Sequence, residues 1–235
     1  MMLTFGQRFK RKQEAKAALR AGEPIAPSPE SLHIQRHELQ ADIEYTAALP
    51  TRADRTDHKR DVLLPKWLPL VERYLDAEKV HQNPIFANCI IWLFDVGDFD
   101  KALDYADIAI SQGQQTPDRL KREFSAFVAD TIMEWAETQN ALGHSVEPYF
   151  SRTFKNMREN WRLHEEINAK WFKFAGLLLL NDHNGKPLPS AIEDVETLQN
   201  ADELLAQAEK FNPLVGVKTM RNKIAMRINK LTSES

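Results

Sequence analysis

Residues 63–75 read Leu63-Leu64-Pro65-Lys66-Trp67-Leu68-Pro69-Leu70-Val71-Glu72-Arg73-Tyr74-Leu75. Leu63, Leu64, Trp67, Leu68, Val71, Tyr74 and Leu75 return at steps of three and four, which is the period of a helix and not of a strand. Pro65 is placed to begin it, because a first-turn residue has no helical partner for its N–H. The same period continues outward. Residues 85–94 form a second apolar helix, ended by Gly97-Asp98, and 100–110 a third. Pro117 opens a longer helix in which Leu120, Phe124, Phe127, Val128, Ile132 and Trp135 recur on one side. Gly143 and Pro148 punctuate the next turn. Residues 161–180 are helical, with Ile167, Trp171, Phe174, Leu177 and Leu178 inward. A loop over 181–189 precedes two last helices, roughly 191–211 and 216–231.

Toward the N-terminus, residues 3–20 read as a helix with Phe5 and Phe9 one turn apart. Gly22, Pro24, Pro27 and Pro29 interrupt it. Ser28 or Ser31 can cap a second helix to about residue 48. The charged stretch 51–61 is either a linker or a continuing helix. No two strand-like runs are joined by a hairpin turn, and Asn184-Gly185 sits in a loop. The expected fold is all-α: a helical bundle of about nine helices in antiparallel pairs with short connections. Gly97 to Leu103, and Ala201 to Leu205 closing at Phe211-Asn212-Pro213, give it partial tetratricopeptide-like character. No regular 34-residue period supports an array.

The 235 residues suffice for a packed core, and the net charge is only −3. That total is a cancellation. Residues 1–60 carry net +3, 61–209 net −11, and 210–235 net +5. Cys89 is the only cysteine, which removes disulfide frameworks and four-cysteine zinc sites. The N-terminus is too polar and basic for a signal peptide, and no apolar run approaches the ~20 residues that cross a bilayer. A reducing cytoplasm is the expected compartment, with no membrane partner.

Several chemistries lack their residues. There is no Gly-x-x-x-x-Gly-Lys-Ser/Thr loop for ATP and no Gly-x-Ser-x-Gly nucleophile turn. Cys89, in an apolar helix, reads as a small buried hydrophobe. His33 and His37 stand one helical turn apart without a third ligand. Asp182-His183-Asn184 superficially matches a nuclease motif, but it falls in a turn. Pro117-Asp118 begins another, but no Glu-x-Lys or Asp-x-Lys follows. Two-metal phosphodiester cleavage needs clustered carboxylates that neither scrap supplies. Asp95, Asp98, Asp100, Asp104 and Asp107 gather at one helix start, where Asp98 or Asp100 can cap. Catalytic, metal and cofactor residues are therefore expected to be absent.

The basic ends carry the functional reading. Arg8, Lys10, Arg11, Lys12, Lys16 and Arg20 face only Glu14 in the first twenty residues. Lys218, Arg221, Lys223, Arg227 and Lys230 follow one another without an acid in the last helix. Such cations neutralise phosphates and release counterions, with no sequence code required. Between Lys10 and Arg60 Tyr45 is the only aromatic residue, too few for a single-strand stacking platform, so duplex DNA is the better target.

The stretch quoted first also resembles the Leu-Leu-Pro-x-Trp-Leu-Pro signature of small terminase subunits from temperate tailed phages of the peduovirus type. Three further landmarks follow in order: Trp92, Asp95, Gly97-Asp98 and Ala102-Leu103; Ala169-Lys170 with Gly176-Leu177; and Gly216-Val217-Lys218. The resemblance covers about residues 62–230. The first 60 residues are similar only as a basic, helical region. It implies a subunit that forms homo-oligomeric rings, recognises viral DNA at the packaging site and recruits the large subunit. ATP, magnesium and the nuclease would belong to that large subunit, although the family is often labelled the endonuclease subunit. The host cytoplasm would be its place of action.

Together these readings divide the chain into a basic DNA-binding region (1–60), an acidic oligomerisation core (61–209) and a basic C-terminal helix (210–235) that contacts DNA or the large subunit. Trp67, Pro69, Trp92 and Gly97 are expected to pack and turn the chain. The rival classes are a helical adaptor that binds only protein, and a metal-dependent endonuclease.

Overall fold

The computed structural model describes residues 32–182 and 185–233. The chain divides into two units, Met1–His58 and Lys59–Ser235. The described part of the first unit holds α1 (Leu32–Ala48) and α2 (Arg52–His58). Thr51 and Asp54 cap α2 reciprocally. Asp54 Oδ2 accepts from the Thr51 N–H at 3.2 Å, and Thr51 Oγ1 accepts from the Asp54 N–H at 3.0 Å. Arg55 reaches back to the Leu49 carbonyl at 2.9 Å. The stretch left open as linker or helix is thus helical through His58.

The second unit starts with a π-helical turn, Lys59–Leu63, and continues through α3 (Leu64–Asp76), α4 (Pro84–Val96) and α5 (Phe99–Ser111). A 3-10 turn, Asp118–Leu120, precedes α6 (Phe124–Ala141), α7 (Tyr149–Glu159) and α8 (Glu165–Leu178). A second 3-10 turn, Pro189–Ala191, precedes α9 (Val195–Phe211) and α10 (Lys218–Ser233). Among the described residues there is no strand, only an isolated bridge between Asn181 and Pro187. The fold is all-α, as the periods require.

α4 is the central helix: every residue from Ile85 to Phe94 is buried, and all but Asn88 are apolar. Asn83 caps it by accepting from the Ile85 and Phe86 N–H groups. Gly97, at φ +81°, closes it in the left-handed conformation that glycine adopts without penalty. Leu64, Trp67, Val71 and Tyr74 of α3 are buried, and so are Ala102, Leu103, Ala106 and Ala109 of α5. The Tyr74 hydroxyl ties two loops to this core. It donates to the Gln112 side chain at 2.8 Å and accepts from Gln114 Nε2 at 2.8 Å. Trp67 and Trp92 are buried and Gly97 turns the chain, the structural roles expected of them.

In the C-terminal half, Phe150 of α7 stacks on buried Trp171 of α8 at 5.0 Å. Gly176 lets α8 approach α9. A Cβ there would lie 2.9 Å from Leu205 Cγ and 3.0 Å from the Ala201 carbonyl oxygen. α10 adds Ile224 to a cluster with Leu180, Leu198, Ala201, Leu205 and Val217.

Three sequence expectations need correction. The helix expected from Pro117 begins at Phe124, because Lys121 takes a left-handed conformation at φ +46° and stops the 3-10 turn from continuing. The helix expected from residue 161 begins at Glu165. α7 occupies a segment that the sequence leaves as a turn. Its buried side is only Phe150, Thr153 and Met157, too sparse to announce a helix.

Candidate nucleic-acid interface

Arg8, Lys10, Arg11, Lys12, Lys16 and Arg20 lie outside the described residues. The C-terminal set is described, and its members differ. Arg221 is held within the unit: Nε and Nη2 meet the two Asp202 carboxylate oxygens at 2.8 and 3.1 Å, and Nη1 meets Glu209 Oε2 at 2.8 Å. The Asp202 hydrogen bonds, against some desolvation and with help from Glu209, hold the guanidinium above its ordinary range. Arg227 Nε donates to the Ile192 carbonyl at 2.8 Å. Both arginines therefore fasten α10 to its own unit. Lys218, Lys223 and Lys230 point outward and are exposed. Lys223 and Lys230, seven residues apart, share one side of α10.

The aspartates gathered around α5 are likewise engaged. Asp98 caps α5 by accepting from the Lys101 N–H at 3.3 Å. Asp95 pairs with Lys59 at 2.7 Å. Arg152 of α7 reaches Asp104 and Asp107, each at 2.7 Å, and Asn156 adds a hydrogen bond to Asp107 at 2.9 Å. Desolvation opposes the Arg152 charge, but these hydrogen bonds outweigh it and raise its pKa. This fork-to-carboxylate arrangement fastens α7 to α5.

Cys89 is buried, and that burial raises its thiol pKa far above the ordinary range. Among the described residues no cluster of three or more His, Cys, Asp or Glu side chains is arranged to hold a metal. His33's side chain, His183 and Asn184 lie outside the described residues. Asp182 is taken up in its own turn, accepting from the Lys186 N–H at 3.0 Å. Asp118 is exposed at the start of the 3-10 turn. No described helix is long and apolar enough to cross a membrane.

Sequence reading missed one cationic surface. Lys121 and Arg122 precede α6, Arg162 precedes α8, and the fold brings them to one cleft. The local runs Arg119 to Arg122 and Arg158 to Arg162 were the available signal. They were submerged in a segment of net −11.

The described molecule is an all-α protein whose body pairs much of its charge internally and leaves other cations exposed. Residues 36–166 match the family model described as phage small terminase subunit. The chain belongs to that family. It is 46% identical over 193 residues to the "Probable terminase, endonuclease subunit" of Haemophilus phage HP1, an alignment covering 82% of this chain and 69% of that one. It is 28% identical over 171 residues to the "Terminase, endonuclease subunit" of Escherichia phage P2, covering 73% and 66% respectively. The chain thus spans about two-thirds of the length of each relative. No solved structure matches.

Proposed function

We propose that this chain is the DNA-holding, non-catalytic subunit of a phage terminase. It binds duplex viral DNA at the packaging site, assembles as a homo-oligomer and recruits the large subunit, which carries ATP, magnesium and the nuclease. Family membership supplies the class. The observation that carries the DNA role is the segregation of charge: Arg8, Lys10, Arg11 and Lys12 against a body of net −11. In a ring, basic segments repeat with each copy and present one cationic surface that the net charge of a single copy hides. Action in the host cytoplasm follows from the same role.

The relatives' printed names favour a second reading, an endonuclease in this chain. Asp104 and Asp107, two neighbouring carboxylates, hold Arg152, an arrangement that supports a structural role for them.

The test is a mobility shift with duplex DNA at physiological salt. The full chain is expected to bind, and Arg8→Ala with Lys10→Ala, Arg11→Ala and Lys12→Ala to weaken binding on all sequences. Unchanged affinity in that variant moves the contact to Lys218, Lys223 and Lys230. No duplex binding by the parent favours the protein adaptor, and a monomeric native mass contradicts the ring. Cleavage by the purified chain with magnesium, lost on Asp118→Asn or His183→Ala, would establish the nuclease.

A further inference from the structure

We propose that the body carries a second duplex-binding surface: the cleft between the starts of α6 and α8, where Lys121 and Arg162 hold DNA phosphates. The proposal rests on the duplex-binding reading above and deepens it, by adding a contact outside the basic ends. Two stretches some forty residues apart build the cleft. One is Lys121-Arg122-Glu123, leading from the 3-10 turn into α6. The other is Arg162-Leu163-His164, leading into α8. Between them lies an open cavity of about 640 Å³.

The charges facing it can be named. Arg122 is paired with Asp130, and Glu123 is an exposed acid on the same rim. Lys121 and Arg162 are exposed, and neither forms an ion pair among the described residues. His164, beside Arg162, adds a ring-nitrogen hydrogen-bonding group to the lining. Arg119 lies two residues before Lys121, exposed. Arg158, four residues before Arg162 at the end of α7, rests over the Phe154 ring at 5.7 Å and is also exposed. Elsewhere in this unit Arg152, Arg221, Lys101 and Lys59 are held by carboxylates of the unit itself. In the cleft, by contrast, Lys121 and Arg162 have no carboxylate partner among the described residues, as Lys218 and Lys223 have none on α10.

With Arg122 answered by Asp130, the two unpaired cations outnumber the one remaining acid of the lining, Glu123, and favour a polyanion as the occupant. A polyanion gains from Lys and Arg that are solvated and unpaired, because binding releases its counterions. A protein partner gains from buried aromatic or aliphatic anchors. The rim residues exposed here are charged, and the apolar Leu163 and Ile167 are half-buried below them. The cavity is open, which suits a duplex backbone passing along it.

The experiment is equilibrium binding of a labelled duplex to the full chain from about 50 to about 200 mM salt, comparing the parent with Lys121→Ala/Arg162→Ala. Removing two phosphate contacts is expected to reduce the slope of log affinity against log salt by about two, with an affinity loss of about tenfold or more at physiological salt. Lys121→Arg/Arg162→Lys should restore both. Thermal unfolding of the alanine variant should match the parent, since both side chains are exposed. If the parent binds and the variant keeps its affinity and slope, this proposal is overturned while the duplex-binding role stands. If the parent binds no duplex, that role fails and this proposal with it. A variant that loses self-association, with DNA affinity unchanged, also overturns it and makes the cleft a protein interface.

Discussion

Arg152 and Arg162 stand ten residues apart and meet opposite surroundings. Arg152, on α7, bridges Asp104 and Asp107 of α5, and Asn156 holds Asp107 in turn. Arg162, in the loop after α7, is exposed and forms no ion pair among the described residues. A segment's net charge counts these two arginines equally. Their partners do not: one is committed to holding helices together, and the other is available to a ligand. Lys218 and Lys223 differ from Arg221 in the same way on α10. The availability of a cation depends on which carboxylates the fold brings to it, and segment totals miss this.

The most drastic way to break the contrast is to remove the frame beneath it. Trp171 is fully buried and stacks on Phe150, so Trp171→Ala should cost about 3–5 kcal/mol in denaturant unfolding and abolish both surfaces together. Gly176→Val is the next most damaging. Even its Cβ meets Leu205 and the Ala201 carbonyl at 3.0 Å or less, and overpacking of this kind costs about 1–3 kcal/mol.

Milder changes sharpen the contrast. Arg152→Ala should destabilise by about 1 kcal/mol, a figure kept small because the pair is partly solvated. The slope of DNA binding against salt should not change. The guanidinium pKa lies above its ordinary value, so its contribution is lost only as pH rises through that raised value. The difference between parent and variant should therefore be constant from neutral to mildly alkaline solution. Lys121→Ala/Arg162→Ala should show the reverse pattern: stability within about 0.5 kcal/mol of the parent, with DNA affinity reduced. Lys121→Gly separates charge from backbone. It removes the cation and relieves the left-handed conformation, so stability should rise by up to about 1 kcal/mol while DNA binding weakens. Loss of stability there would mean that the Lys121 side chain supports the fold.

What the sequence showed and what it hid divide along physical lines. The period of residues 63–75 and the run of α4, apolar from Ile85 to Phe94 except at Asn88, announce helices because burial selects side chains at helical spacing. α7 escaped notice because few of its side chains are buried and Pro148 precedes it. The break before α6 escaped because a non-glycine residue, Lys121, adopts positive φ, and no local pattern marks that. The family landmarks were legible as linear motifs. The pairing of Arg152 and Arg221 was not, and neither was the meeting of Lys121 with Arg162. Each joins residues distant in the chain, a relation that periodicity does not encode. The N-terminal cations remain a reading of the sequence, since they lie outside the described residues.

The central claim is that an acidic-bodied member of the small terminase family holds duplex DNA through phosphate contacts. Its most direct test is the salt dependence of duplex affinity for the full, unaltered chain. At least four contacts, two in the cleft and two or more at the ends, predict a fall of about a hundredfold between about 50 and about 200 mM salt, equally on unrelated sequences. An affinity that does not respond to salt, or no duplex binding at the lower concentration, would contradict it.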